Sequence, residues 1–206
     1  MRRRSFLEKT AIGTAVVAGA LLPFGLARLL AFERPRYERA PAHTRLNPPG
    51  ALGNKEAFIK ACIGGALCGE VCAPGAIRFY TQNSGDKVNT PYINPEITAC
   101  TLCGACMKVC PTDALTVTPI RDVDMGIAQI DRDACYPWVD KGICGACVSI
   151  CPLGKTAIGF EFANIYRPAI KGGCVGCGLC VEVCPHPSLP IRIIDRVLAQ
   201  DPVKEG

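Results

Sequence analysis

The sequence predicts a small α+β fold built around its cysteines, and three observations lead to it. Fifteen of the 206 residues are cysteine, against two histidines. The cysteines recur in four repeats whose first members, Cys62, Cys100, Cys135 and Cys174, lie 35 to 39 residues apart. Each repeat has the same three parts: a cysteine loop, one helical turn that ends at the last cysteine, and a short β-rich stretch. So little chain between cysteines leaves no room for a large hydrophobic core. Whatever the thiolates bind must supply much of the folding free energy.

Along the chain, the first element is residues 1–32. Arg2, Arg3 and Arg4 precede Ser5, Phe6 and Leu7, and an apolar run over 10–30 follows, broken by Pro23 and Arg28. This resembles a twin-arginine export signal; the alternative is a membrane anchor with basic residues inside. Ala40-Pro41-Ala42 has a small-x-small cleavage form, and the run is long enough to span a bilayer if it is retained. Twin-arginine export carries folded cargo, which suits a protein whose metal groups are assembled before it crosses. Residues 33–53, rich in Pro, Arg and Ala without apolar period, read as a linker.

The main domain is expected over 54–198, with a tail at 199–206. Asn54 is placed to cap a short helix whose Ala57, Phe58 and Ala61 share a face and lead to Cys62. The β-rich stretches fall at 76–80, 114–117, 157–160 and 191–194, and alternation over 126–131 adds another.

The spacings carry the chemistry. Cys100-x2-Cys103-x2-Cys106-x3-Cys110-Pro111 and Cys174-x2-Cys177-x2-Cys180-x3-Cys184-Pro185 match the run that holds [4Fe–4S] clusters in bacterial proteins. Three closely spaced thiolates wrap three corners of a cubane, and the fourth ligates a different cluster. Repeat three is a variant, with Cys135, Cys144, Cys147 and Cys151 and a loop containing Trp138 inserted after its first ligand. Structural zinc uses two separated ligand pairs rather than four cysteines within eleven residues. Cysteines this closely packed are also poor disulfide partners.

Repeat one breaks the rule. Aligned on Cys62, Cys68 and Cys72, its second ligand position is Gly65. Three four-cysteine sites and one three-cysteine site use all fifteen cysteines with none left over. The expectation is three [4Fe–4S] clusters and one [3Fe–4S] cluster; the alternatives are an open-site [4Fe–4S] cluster, completed by water or a carboxylate, and an empty site. Which repeats exchange their fourth cysteines is open. Nested pairing, one with four and two with three, is favoured and would bring Cys184 to Cys62 and Cys68; sequential pairing would bring Cys110.

These residues resemble the NapG/MauM-type ferredoxin family. The arginine signal, the segment LNPPGAL at 46–52, the stretch Met125-Gly126-Ile127-Ala128 and the long first gap of repeat three carry the likeness. It implies a ferredoxin-like α+β fold of two dicluster modules and all fifteen cysteines as cluster ligands. It also implies an electron carrier between a membrane quinol-oxidising protein and a periplasmic oxidoreductase or cytochrome, located in the periplasm or on the periplasmic face of the membrane. Gly65 departs from the family's usual second cysteine. Competing classes are an accessory or maturation factor that bears clusters without carrying current, and the electron-transfer subunit of a larger molybdenum-type enzyme.

Charge excludes nucleic acid. Of the net +5, residues 1–39 hold the whole excess, with eight basic and three acidic side chains, leaving fifteen of each sign in the rest. No arrangement for substrate chemistry is present. His43 and His186 read as solvated loop residues, and Asp122, Asp124, Asp131 and Asp133 as a polar loop. Tyr136 and Trp138 read as packing over a cysteine loop rather than as an exit path for electrons.

Overall fold

The helix expected after Asn54 is present. Helix α1, Lys55–Ala61, starts where the Asn54 side chain accepts the N–H groups of Glu56 at 2.8 Å and Ala57 at 3.4 Å. The computed structural model that shows it describes residues 45–196. Residues 1–32, expected from the sequence to act in export, residues 33–44 with His43, and the tail 199–206 lie outside the described residues. Among the described residues no helix is long and apolar enough to cross a membrane.

Four one-turn helices follow the cysteine loops: α2, Leu67–Glu70; α3, Ala105–Val109; α4, Ala146–Ile150; and α5, Leu179–Glu182. Each stops one or two residues before the last cysteine of its repeat. None is long enough to persist alone, so each depends on what it packs against.

Six strands form three antiparallel pairs: β1, Ile77–Phe79, with β2, Pro91–Ile93; β3, Ile127–Ile130, with β6, Ile191–Ile194; and β4, Ile158–Ala163, with β5, Ile165–Ile170. Strands β1, β3, β4 and β6 fall on expected stretches. The stretch 114–117 forms no strand of its own, but Leu115 bridges Ala51, and the N–H groups of Leu52 and Thr116 donate to Ala114 and Gly50. Strands β2 and β5 escape a reading by pattern because Pro91 and Pro168 lie in them. In a two-stranded pair every strand is an edge, and a proline there need not remove a ladder bond.

The chain thus builds two halves on one plan. An entering segment leads to a cysteine loop and helix, then a two-stranded link, a second loop and helix, and a closing segment that pairs with the entering one. In the first half, 50–52 meets 114–116; in the second, β3 meets β6. Helix α2 packs on α3 and α4 on α5. Repeat one therefore partners repeat two and repeat three partners repeat four, correcting the nested pairing favoured from the sequence. The closing ladders decide this, because each ties the segment before one repeat to the segment after the next.

A second correction concerns the linker. Its described part, 45–53, belongs to the body. Leu46 is buried and exchanges both backbone hydrogen bonds with Ile93 at 2.8 Å, and Pro48 and Pro49 are buried. Gly50, at φ +73, leaves no room for a Cβ beside Met107 and the Thr116 carbonyl.

The core is one contiguous layer in which Phe58, Ile93, Leu115, Val123, Met125, Val175 and Ile193 surround Cys100, Cys106 and Cys177. Phe58, 1% exposed, is the largest fully buried side chain on α1. Phe58→Ala is expected to cost about 3–5 kcal/mol, read as a lowered thermal unfolding midpoint. An unchanged midpoint would contradict this core.

Candidate metal centres

The loops of repeats one, two and four share a backbone conformation. On either side of the second ligand position the chain is left-handed: Gly64 (φ 68) and Ala66 (φ 58), Leu102 (φ 60) and Gly104 (φ 73), Gly176 (φ 74) and Gly178 (φ 88). Such alternation turns successive N–H groups to one side and forms a nest for an anionic group. At Ala66 and Leu102 a side chain in this region costs about 1–2 kcal/mol, yet both residues are held there. Repeat one keeps the cradle although Gly65 stands where Cys103 and Cys177 stand in the other loops.

Repeat three reaches its site differently. Gly145, before α4, has φ −137. The inserted loop is stapled by Trp138, whose Nε1–H donates to the Pro168 carbonyl at 3.0 Å, with the Arg132 guanidinium 4.2 Å from its ring centroid. Packing is thus the role of Trp138. Tyr136 lies with its ring 4.5 Å from that of His186, whose Nδ1 accepts from the Ser188 N–H at 3.1 Å.

Electrostatic proximity sorts the cysteines into four sites. Site 1 joins Cys62, Cys68 and Cys110. Site 2 joins Cys100, Cys103 and Cys106 with Cys72. Site 3 joins Cys135, Cys144 and Cys147 with Cys184. Site 4 joins Cys174, Cys177 and Cys180 with Cys151. The last cysteine of every repeat crosses to its partner's site, so the three-cysteine site takes Cys110 rather than Cys184.

These sites suit a polynuclear group better than a lone ion. One zinc ion draws its thiolates to within about 2.3 Å of a point, and among the described residues no three Cys, His, Asp or Glu side chains gather for a single ion. The thiols instead border recesses. At site 4 the recess is about 360 Å³, part of it open space, and is lined by its four cysteines with apolar residues such as Leu153, Ile158, Ile170 and Ile193. At site 1 it is about 390 Å³, and its three cysteines share it with Ile63, Leu67, Phe79, Asn89 and Thr112.

Burial is the main influence on the thiols. It pushes Cys100 up to about 11, Cys106 to about 12 and Cys147 to about 11, with neighbouring thiolates adding to the effect. Cys68, Cys135, Cys177, Cys180 and Cys184 move the same way, burial again leading. Left alone, such groups keep their protons; coordination to cationic iron would reverse that preference and hold them as thiolates. Backbone donors assist, with Leu102 N–H to Cys100 Sγ at 3.3 Å and Ala128 N–H to Cys174 Sγ at 3.4 Å. Cys110 is the exception. Burial raises it, but the Thr112 hydroxyl, 3.6 Å from its Sγ, and the N–H groups of Thr112 and Leu115 together bring it below the ordinary thiol value.

The acidic loop residues do turn-building work. Asp124 accepts from Gly126 N–H at 3.0 Å and pairs with Arg196, and Asp131 accepts from Asp133 N–H. Pattern reading missed Thr112, Glu182 and Arg196. Glu182 accepts the Ala99 N–H at 2.7 Å, and Arg196 donates to the Cys174 carbonyl at 2.6 Å. Only Thr112 carries a local signal, as a hydroxyl two residues after a ligand-type cysteine.

A family pattern described as a 4Fe-4S dicluster domain matches residues 61–114 and 99–155, and a 4Fe-4S binding domain matches 170–188. The first match spans the repeats that the fold pairs. The second joins repeats two and three, which share the spacing but fall in different halves. The methylamine utilization ferredoxin-type protein MauM of Methylobacillus flagellatus is 34% identical over 96% of this chain and 85% of its own length. The ferredoxin-type protein NapG of Escherichia coli is 33% identical over 96% of this chain and 87% of its own, and the MauM protein of Paracoccus denitrificans 32% over 91% and 84%.

With thiols making up much of the core, stripping the metal with a chelator under reducing conditions is expected to unfold the body. The measurement is hydrodynamic radius together with protease sensitivity. A metal-free protein as compact and resistant as before would contradict the assignment.

Proposed function

The chain belongs to the NapG/MauM-type family of ferredoxin proteins, and on that premise we propose that it relays single electrons through four cluster sites on the periplasmic side of a bacterial membrane. Multiple [4Fe–4S] motifs and ferredoxin-type relatives establish iron–sulfur electron transfer. The observation that carries the finer reading is the gathering of the fifteen cysteines into three sets of four and one of three.

In this reading the cysteines of sites 2, 3 and 4 each hold a [4Fe–4S] cluster, within two ferredoxin-like dicluster modules, and Cys62, Cys68 and Cys110 hold a [3Fe–4S] cluster. Each cluster, when bound, stores or releases one electron. The chain supplies the thiolates, the N–H donors that tune them and the apolar walls that keep water away. Site 4, bordered only by cysteine and apolar residues, disfavours added negative charge; site 1, with one thiolate fewer, accepts it more readily. Two features support three irons at site 1: no carboxylate borders its recess, and the Thr112 hydroxyl there is engaged with Cys110.

The segment 1–32 directs twin-arginine export, and the protein takes electrons from a membrane quinol-oxidising protein and delivers them to a periplasmic oxidoreductase or cytochrome. Arg3→Lys with Arg4→Lys is expected to hold the protein in the cytoplasm, followed by cell fractionation; undiminished export would remove this part of the reading.

The central test is iron and acid-labile sulfide in anaerobically purified protein, in the proportion of three four-iron sites and one three-iron site. Protein that folds without iron would end the proposal. Gly65→Cys tests site 1 directly. A Cβ at Gly65 meets nothing nearer than the Ile63 side chain at 3.8 Å, so the thiol fits, and the low-temperature EPR signal of an oxidised three-iron cluster is expected to disappear as a fourth iron is retained.

A further inference from the structure

The two halves meet along a seam at repeat four's loop, and residues 45–53 of the first half also share a groove with 123–126 and 193–196 of the second. Repeat four's loop lies against the stretch that enters repeat two: Cys100 N–H donates to the Cys177 carbonyl at 3.0 Å, and Ala99 N–H donates to Glu182 Oε2 at 2.7 Å. A glycine makes the approach possible: a Cβ at Gly178 would collide with Pro95. Within each half the sites are joined by helix packing, α2 on α3 and α4 on α5, which brings Cys68 of site 1 near Cys106 of site 2 and Cys147 of site 3 near Cys180 of site 4. Across the halves, Cys100 of site 2 faces Cys177 of site 4.

We infer that the four sites form one unbranched path in the spatial order 1–2–4–3, crossing between halves at the Cys100–Cys177 seam, with the three-cysteine site and the inserted-loop site as its two ends. The inference rests on the electron-carrier reading and adds to it an order that sequence order does not give. Exposed apolar side chains are found at both of those ends. Ile63 (69% exposed) and Leu67 flank site 1, and Ile143 (85% exposed) with Phe160, whose ring covers Gly145, flanks site 3. Each step moves one electron from a reduced site to its oxidised neighbour; no bond forms or breaks and no proton is transferred.

The test uses the full-length, cluster-loaded protein. A photosensitiser is tethered at Phe162→Cys, exposed on β4 two residues beyond Phe160, and a tertiary amine replaces each electron it loses. Iron content is measured first. A parent protein without iron removes the carrier reading and the path with it. In the loaded parent, repeated flashes are expected to reduce all four sites. With site 2 emptied by Cys103→Ala and Cys106→Ala, flashes should reduce sites 3 and 4 only, leaving site 1 oxidised until dithionite is added. Reduction of site 1 from the tether at the parent's rate would overturn the order. Should that variant not load its clusters, Glu182→Ala loosens the seam and leaves every thiolate in place. Faster amide exchange over 99–102 should then accompany slower electron arrival at sites 1 and 2. An opened seam with an unchanged arrival rate would equally overturn the path.

Discussion

Every half of this protein depends on a crossover of thiols. The cysteine at the end of each one-turn helix does not complete its own loop's site but its partner's: Cys110 joins Cys62 and Cys68, Cys72 joins the Cys100 loop, Cys184 joins the Cys135 loop and Cys151 the Cys174 loop. A group bound at either site therefore ties two repeats together. Helices of four or five residues could not persist alone. They persist here because each lies between two sites and packs on its counterpart. The closing ladders, 50–52 with 114–116 and β3 with β6, then lock each pair from outside.

Burial makes ionising these thiols costly, a cost that bound metal would offset. Apolar surroundings push most of the resolved thiols towards the protonated form, and adjacent thiolates repel one another. Bound iron would supply the compensating charge and so couple cluster binding to folding. The left-handed pairs in the loops belong to the same balance. Ala66 and Leu102 hold strained left-handed backbone of the kind that forms an anion nest, which an anionic cluster would occupy.

Site 1 shows how a ligand can be lost without losing the site. Gly64 and Ala66 retain the conformation seen around Cys103 and Cys177, and Cys110 is steadied by the Thr112 hydroxyl. What changed at Gly65 is a thiolate, not the cradle. Exposed Ile63 and Leu67 lie beside it, whereas the buried cysteines Cys100, Cys106 and Cys177 belong to sites 2 and 4, with Cys103 of site 2 exposed.

The cysteine repeats, the short helices, four of the six strands and the Asn54 cap were legible in the sequence, because each follows from local spacing: ligand reach, helical period or strand alternation. Gly65, standing where Cys103 and Cys177 stand in the other loops, was likewise visible in the sequence. Pairing was not legible, because all four repeats share nearly the same spacing and any two could exchange their last cysteines. Only the ladders formed by 50–52 and β3 chose between Cys110 and Cys184 for site 1. Residues 46–53 were misread for a related reason. Periodicity detects regular elements, whereas Leu46, Pro48 and Pro49 are buried by what they happen to meet. The seam at Cys100 and Cys177, the Glu182 contact and the order of the sites likewise join residues more than seventy positions apart, and such contacts exist only once the chain has folded.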